Sequence, residues 1–279
     1  MVSNEMRFVY LIMAGGQSEH LNDEQTQRLT WATRVPINSK VVWVKGSNSS
    51  NIEYINATLF IPVSQNAPDG ILKRSILAIN WCLDNFDFDF IIRSNVSTFF
   101  EPKLIHTTIP NKMNMTKPFI GGYVESTKGN YLGVVGKNNF ISGSGIFMNR
   151  AACLQIASLP IFNYKGIPDD VAITAFARIE GIGVTRLIRS NIGYHHYFFP
   201  AFFTRCKSSI NNELASKRMN LINSYWISTN GMRRTKARLL ILHFETKNIH
   251  INYKSAVEYL NRVRITLQNY ILIKLGTPG

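Results

Sequence analysis

Two adjacent carboxylates, Asp169 and Asp170, follow Pro168 at the start of a predicted helix. Proline suits the first turn of a helix, and acidic side chains there are stabilised by the helix dipole. Neighbouring carboxylates can also hold different pKa values, so that one stays ionised and removes a proton from a hydroxyl group. The pair is therefore either a helix-capping feature or an acid–base site, and the local sequence by itself favours capping.

A second polar group, Arg93-Ser94-Asn95, interrupts the apolar stretch Phe90–Phe100 (FIIRSNVSTFF). The preceding residues alternate apolar and acidic side chains and then become fully apolar, which predicts a strand entering a buried sheet. Ligands of open α/β sheets bind at the carboxyl ends of strands, where this triplet would lie. Arg93 offers a fixed cation suited to a diphosphate, whereas a plain strand end followed by a turn fits the stretch equally well.

Three further segments carry weaker signals. Ala14-Gly15-Gly16 resembles the glycine-rich loop of sugar nucleotidyltransferases, but no basic residue follows before Arg28, so a tight turn, or contact with a base or ribose, fits better. Arg205 and Lys207 lie beside two serines, a composition that suits phosphate or a solvated loop. His196 lies in an aromatic segment and could bind a metal or phosphate, or be buried.

Alternating strands and helices are predicted to position these groups. The first 100 residues predict βαβ units and a mostly parallel sheet. Predicted strands cover Arg7–Ala14, Lys40–Lys45, Leu59–Val63, the run into Arg93, Lys117–Tyr123, Tyr131–Gly136 and Gly183–Ile188, with Ile141–Met148 as strand or loop. Predicted helices cover Glu24–Thr33, Ile71–Asn85, Arg150–Leu159 and Pro168–Ile179. We expect an α/β domain over residues 1–210 and a basic, mostly helical region over 211–279 packed on it.

Charge and composition limit the class of protein. The chain has 279 residues, 45% of them hydrophobic, and a net charge of +14, which favours polyanionic neighbours. Three distant cysteines, no signal peptide and no apolar run of about 20 residues predict a cytoplasmic protein, soluble or peripheral at a membrane. The basic run Met232–Arg238 lacks interleaved aromatic residues, so we expect a solvated or membrane-facing surface rather than a nucleic-acid partner.

From about Leu59 to Thr174 the chain resembles the beta-1,3-galactosyltransferase and Fringe-like glycosyltransferases of the GT-A fold. The segment Leu72–Trp81 is similar to a lysine-bearing helix that ends in tryptophan, with Lys73 as the lysine. Phe90–Phe99 occupies the place of a strand with three acidic residues. The matching acceptor-side and acidic motifs are Ser142-Gly143-Ser144-Gly145 and Asp169-Asp170-Val171.

The resemblance implies a GT-A, Rossmann-like mixed sheet flanked by helices, and an inverting hexosyltransferase. It implies a nucleotide-diphosphate donor, UDP-linked, and a glycan or glycoprotein acceptor. Asp170 would be the catalytic base with Asp169 beside it. By this match the donor would contact Lys73, Arg93, Ser94 and Asn95, and the acceptor Ser142–Gly145. The separate signals described above add Ala14 and Gly15 to the donor side, and Arg205 and Lys207 as phosphate contacts.

The acidic triplet of the family is Arg93-Ser94-Asn95 here, so its metal ligand becomes Asn95, with His196 as a second candidate. A hard cation prefers carboxylates, so a role for Mn²⁺ or Mg²⁺ stays open, and Arg93 could stabilise the leaving diphosphate instead. The alternatives are a sugar nucleotidyltransferase and a non-catalytic protein that binds glycans or nucleic acid.

Overall fold

The computed structural model describes residues 6–15, 18–65, 70–112, 117–131, 134–187, 189–191, 202–206 and 214–227. The chain divides into two compact units, Met1–Ile227 and Ser228–Gly279, and all described residues belong to the first unit. The predicted packing of a C-terminal helical region therefore stays a prediction. Within the described ranges, no helix combines the length and apolarity that crossing a bilayer requires.

A mixed sheet forms the centre of the first unit. Its strands in the described chain are β1 (Phe8–Met13), β2 (Lys40–Gly46), β3 (Glu53–Ile55), β4 (Thr58–Ile61), β5 (Phe90–Asn95), β7 (Phe119–Tyr131), β8 (Val134–Asn149) and β9 (Gly183–Arg186). They lie in the order β3-β4-β2-β1-β5-β8-β7-β9. A smaller sheet has the order β10-β11-β6 and is formed by β6 (Thr98–Phe100), β10 (Arg189–Asn191) and β11 (Phe203–Arg205).

Four neighbouring strands, β4, β2, β1 and β5, run parallel, and β8 and β7 extend this half in antiparallel pairing. The mixed α/β architecture and the mostly parallel pairing over the first 100 residues are confirmed, with β3 pairing antiparallel to β4. The polar triplet at Arg93 belongs to strand β5 itself, and the turn follows at Val96-Ser97. The two short strands predicted around Lys117 and Tyr131 are parts of the long β7–β8 hairpin, and Ile141–Met148 is strand.

Six α-helices accompany the sheets in the described chain: α1 (Ser18–Leu29), α2 (Gly70–Asn85), α3 (Pro102–Lys112), α4 (Arg150–Ile156), α5 (Asp169–Ile179) and α6 (Leu214–Ile227). Because side chains alternate along a strand, Val9 and Leu11 of β1 point into the core shared with α2, α4 and α5. Phe8 and Tyr10 point the other way and pack with aromatic rings that include Trp31 and Phe100. Both faces of β1 are therefore covered, which explains its continuous apolar sequence.

Gln27 of α1 is hydrogen-bonded to the turn that follows β5. Its fully buried side-chain amide donates to the carbonyl oxygens of Val96 (2.7 Å) and Thr98 (2.9 Å). Its oxygen accepts a hydrogen bond from the Trp43 indole N–H at 3.1 Å. One side chain thus joins α1, β2 and the β5–β6 turn, and it fixes the direction in which the end of β5 leaves the sheet.

We expect Gln27→Met to destabilise the protein by roughly 2–4 kcal/mol, because several buried polar groups lose their hydrogen-bond partner together. Urea unfolding measures the loss of free energy. The matched control is Gln155→Met on the exposed face of α4, which should change stability by less than about 0.5 kcal/mol. Equal effects of the two substitutions would show that the Gln27 contacts contribute little.

Candidate active site

The carboxyl ends of β1 and β5 lie side by side, since Met13 pairs with Asn95 in the parallel register. Ala14 continues β1 by donating its N–H to the Val44 carbonyl at 2.9 Å. The Gln65 side chain donates to the Ala14 carbonyl (3.2 Å) and accepts from the Gly46 N–H (2.7 Å). The predicted donor-side residues of β1 and β5 therefore share one edge of the sheet.

Arg93 lies at the centre of this edge and is only 1% exposed. Its Nη2 forms an ion pair with Oδ2 of Asp169, which also accepts a hydrogen bond from Ser75 Oγ at 3.0 Å. Its Nη1 donates to the Gly143 carbonyl (3.0 Å) and to Oδ1 of Asn95 (3.1 Å). This one guanidinium group therefore connects β5, α5 and β8.

Asp170 lies directly beside this ion pair and is half-buried. Its Oδ2 accepts a hydrogen bond from the Gly143 N–H at 2.8 Å, and its Oδ1 accepts one from the Val171 N–H at 3.0 Å. Burial and the nearby negative charge of Asp169 raise the pKa of Asp170, although Arg93 and the two N–H groups oppose this rise. The result is an oriented carboxylate that is more basic than an ordinary aspartate.

Gly143 contacts both Arg93 and Asp170 through its main chain. A Cβ atom at this position would lie 2.6 Å from Arg93 Nη1 and 3.1 Å from Asp170 Oδ2. Because real Cβ atoms do not approach other atoms so closely, a side chain here would displace the guanidinium group. Glycine is therefore required for the arginine to reach the main chain of β8.

The other side of β8 carries a second charged cluster. The buried Arg189 donates to the hydroxyls of Ser142 (2.8 Å) and Ser144 (2.7 Å), and to Glu125 Oε1 at 2.6 Å. Burial lowers the pKa of Arg189, and the contact with Glu125 opposes that change. Arg205 also donates to Glu125 Oε1, at 3.2 Å. The hydroxyls of Ser142 and Ser144, predicted to lie on the acceptor side, therefore accept hydrogen bonds from Arg189. The network of Arg189 and Glu125 was not predicted from the sequence.

The other predicted site residues differ in burial and in their contacts. Ser94 is buried and donates to the Ser144 carbonyl at 2.8 Å, while Gly145 packs under the ring of Phe203. Lys73 is exposed on α2, whereas its neighbour Arg74 is buried and donates to the carbonyl oxygens after β4. Lys207 and His196 lie outside the described residues.

An open cleft of about 420 Å³ lies elsewhere, around Lys40 at the amino end of β2. The guanidinium group of Arg28 covers the ring of Trp43 there, at 3.7 Å from the ring centroid. None of the described residues that line this cleft carries a carboxylate. Acid–base chemistry therefore fits the edge that holds Asp169 and Asp170, at the opposite ends of the strands.

Comparisons with known proteins give only distant similarities. No protein-family model and no curated protein matches the sequence. Among solved structures, a glycosyltransferase involved in the glycosylation of the major capsid of PBCV-1 is 12% identical, with 76% of this chain and 98% of that chain covered and a TM-score of 0.49. The galactosyltransferase LgtC, in complex with donor and acceptor sugar analogs, is 10% identical (83% of this chain, 100% of that chain, TM-score 0.47). The apo-form glycosyltransferase GlyE of Streptococcus pneumoniae TIGR4 is 11% identical, with 87% of this chain and 63% of that chain covered and a TM-score of 0.42. Similarity at this level does not assign an activity to the chain.

We expect Arg93→Met to lower the free energy of unfolding by about 3–5 kcal/mol, because Asp169 would stay buried without its partner. The matched control is Arg7→Met, since Arg7 pairs with Asp87 and Asp89 through a side chain that is 37% exposed. That change should cost about 1 kcal/mol or less. Urea unfolding of both variants measures the difference, and a neutral Arg93→Met would contradict the central role of the pair.

We also expect Asp169→Asn to lower the pKa of Asp170, because the substitution removes a nearby negative charge. In the native protein the raised pKa means that the folded form binds this proton more tightly than the unfolded form. Stability should therefore fall as pH rises from the ordinary aspartate pKa to the raised value, and less so in the variant. A ¹³C NMR titration of the carboxyl groups measures the shift, with Asp170→Asn to identify the signal. An unchanged or higher pKa would refute the coupling.

Proposed function

We propose that the chain is a glycosyltransferase that moves a sugar from a nucleotide-diphosphate donor, UDP-linked, to a hydroxyl group of a glycan, with inversion. The observation that carries this proposal is the oriented carboxylate of Asp170 beside the Arg93–Asp169 pair. It lies at the carboxyl edge of parallel strands, where α/β sheets bind ligands. The sequence resemblance to Fringe-like glycosyltransferases supports the same reaction.

Asp170 would act as the general base. Its burial makes it a stronger proton acceptor than a solvated aspartate, and the two backbone N–H groups hold it in one orientation. The acceptor hydroxyl would give its proton to Asp170 while its oxygen attacks the anomeric carbon. The bond from that carbon to the diphosphate oxygen would break on the opposite face, and the nucleotide diphosphate would leave with the electron pair.

Donor and acceptor would meet over Gly143. The donor side would use Ala14, Gly15 and Asn95, which share one edge of the sheet. The acceptor would lie along Ser142–Gly145, a segment that the Arg189–Glu125 cluster holds from behind. Arg205 would contribute to phosphate or acceptor binding through the part of its side chain that is exposed. The roles of Lys73, Lys207 and His196 rest on the sequence alone.

We expect one nucleotide sugar of a panel to raise the thermal unfolding midpoint and to be consumed when acceptor glycans are added. Ligand at 100 times its Kd stabilises the folded state by about 2.7 kcal/mol. Asp170→Asn should keep this nucleotide binding and lower the transfer rate by about 10²–10⁴-fold, because the base is lost. Nucleotide release with and without acceptor measures transfer.

The control for this test is Asp84→Asn, since Asp84 is exposed on α2. It should transfer at the native rate. Full transfer by Asp170→Asn would remove Asp170 from the mechanism. Release of pyrophosphate from a nucleoside triphosphate and a sugar phosphate would instead identify a nucleotidyltransferase. Absence of binding to every nucleotide sugar would overturn the proposed function and favour a non-catalytic binding protein.

A further inference from the structure

The side-chain amide of Asn95 has a chemically fixed orientation. The guanidinium group of arginine only donates hydrogen bonds, so the Asn95 atom that lies 3.1 Å from Arg93 Nη1 must be the oxygen, Oδ1. The amide oxygen therefore faces a buried cation, and the –NH₂ group is the part of the amide left to contact a ligand. Asn95 itself is exposed at the end of β5, so a ligand can reach it.

This orientation does not suit a divalent metal ion. The atom of Asn95 that could ligate Mn²⁺ or Mg²⁺ is the oxygen that already accepts from Arg93. A cation on that oxygen would lie next to a fixed positive charge. Asp169 Oδ2 is paired with the same guanidinium group, and both oxygens of Asp170 accept backbone N–H groups. Among the described residues, no group of three His, Cys, Asp or Glu side chains could hold a metal ion.

The positive charge at this edge is instead part of the chain. Arg93 and Arg74 are both buried, with 1% and 3% of their surfaces exposed. Arg93 pairs with Asp169, and Arg74 interacts electrostatically with the same carboxylate. Two fixed guanidinium charges therefore neutralise the charges of Asp169 and Asp170, which in a metal site a divalent ion would neutralise.

The amide nitrogen of Asn95 and the proposed base lie around one point. The position that a Cβ atom of Gly143 would occupy is 3.5 Å from Asn95 Nδ2 and 3.1 Å from Asp170 Oδ2. Asn95 Nδ2 and Asp170 Oδ2 therefore lie near each other beside the main chain of Gly143, while the Cβ position itself is too close to Arg93 Nη1 (2.6 Å) to hold an atom. A phosphate oxygen is a ligand group that accepts a hydrogen bond from an amide donor such as Asn95 Nδ2.

We propose that the chain binds the diphosphate of its donor without a divalent metal ion, with Asn95 Nδ2 donating to a phosphate oxygen and Arg93 and Arg74 neutralising the neighbouring carboxylates. Arg93 acts here as a positioning residue, because it holds the Asn95 amide and does not reach the surface itself. Because the ligand is taken to be a nucleotide diphosphate, this proposal rests on the function proposed above.

Calorimetric titration of the full chain with UDP, GDP, ADP and CMP tests the proposal, first in EDTA and then with excess Mn²⁺. We expect one diphosphate to bind with the same Kd under both conditions. Asn95→Ala should weaken that binding about 10–100-fold, because a hydrogen bond to a charged group is lost. The matched control is Asn85→Ala at the exposed end of α2, whose amide bonds only to the Trp81 carbonyl, and it should bind as the native chain does. Thermal unfolding of both variants confirms that they are folded.

Binding that requires Mn²⁺ would overturn the metal-free site but leave the glycosyltransferase proposal intact. Binding that is unaffected by EDTA and has the same Kd in Asn95→Ala would overturn the role of Asn95 as the hydrogen-bond donor to phosphate. Failure of all four nucleotides to bind under both conditions would overturn the proposed function together with this site.

Discussion

The ion pair between Arg93 and Asp169 is the contact on which the candidate site depends. Burying two charges costs several kcal/mol of desolvation for each, and only good geometry with further hydrogen bonds offsets that cost. Here the guanidinium group also donates to the main chain of β8, and the carboxylate accepts from Ser75. Strand β5, strand β8 and helices α2 and α5 consequently meet at one charged centre, so the position of Asp170 follows from theirs.

The strongest elements were predictable from sequence because their patterns are local. Strands β1 and β2 and helices α2 and α5 follow from apolar runs, helical spacing and the proline before Asp169. The burial along α2 depends on its packing, since Ile71 is half-exposed whereas Leu72, Arg74 and Ser75 are buried. Lys73 was expected at the site from the sequence resemblance; it is exposed on α2, and its buried neighbour Arg74 interacts electrostatically with Asp169.

The remaining features depend on contacts between distant parts of the chain. Helix α3 contains threonines, an internal proline and few strong helix formers, so its sequence gives a weak local signal. Strands β10 and β11 have three residues each and are defined by their pairing with each other and with β6. Neither Glu125 nor Arg189 has a local signature. Arg93 and Asp169 were each identified as candidates, but their pairing could not be inferred from either segment alone.

The close packing of Gly143 against Arg93 also limits how this site could have evolved. Replacing Arg93 alone, as a first step towards an acidic triplet, would leave Asp169 buried without a partner. The loss in free energy of unfolding would be about 3–5 kcal/mol, a large part of the roughly 5–15 kcal/mol that is typical of folded proteins. Adding a side chain at Gly143 alone would displace the guanidinium group. The effects of these changes are therefore not additive. An exchange between a metal-type site and the present one requires coordinated substitutions. Because each single substitution on that path destabilises the protein, the arginine site would be retained over long evolutionary times.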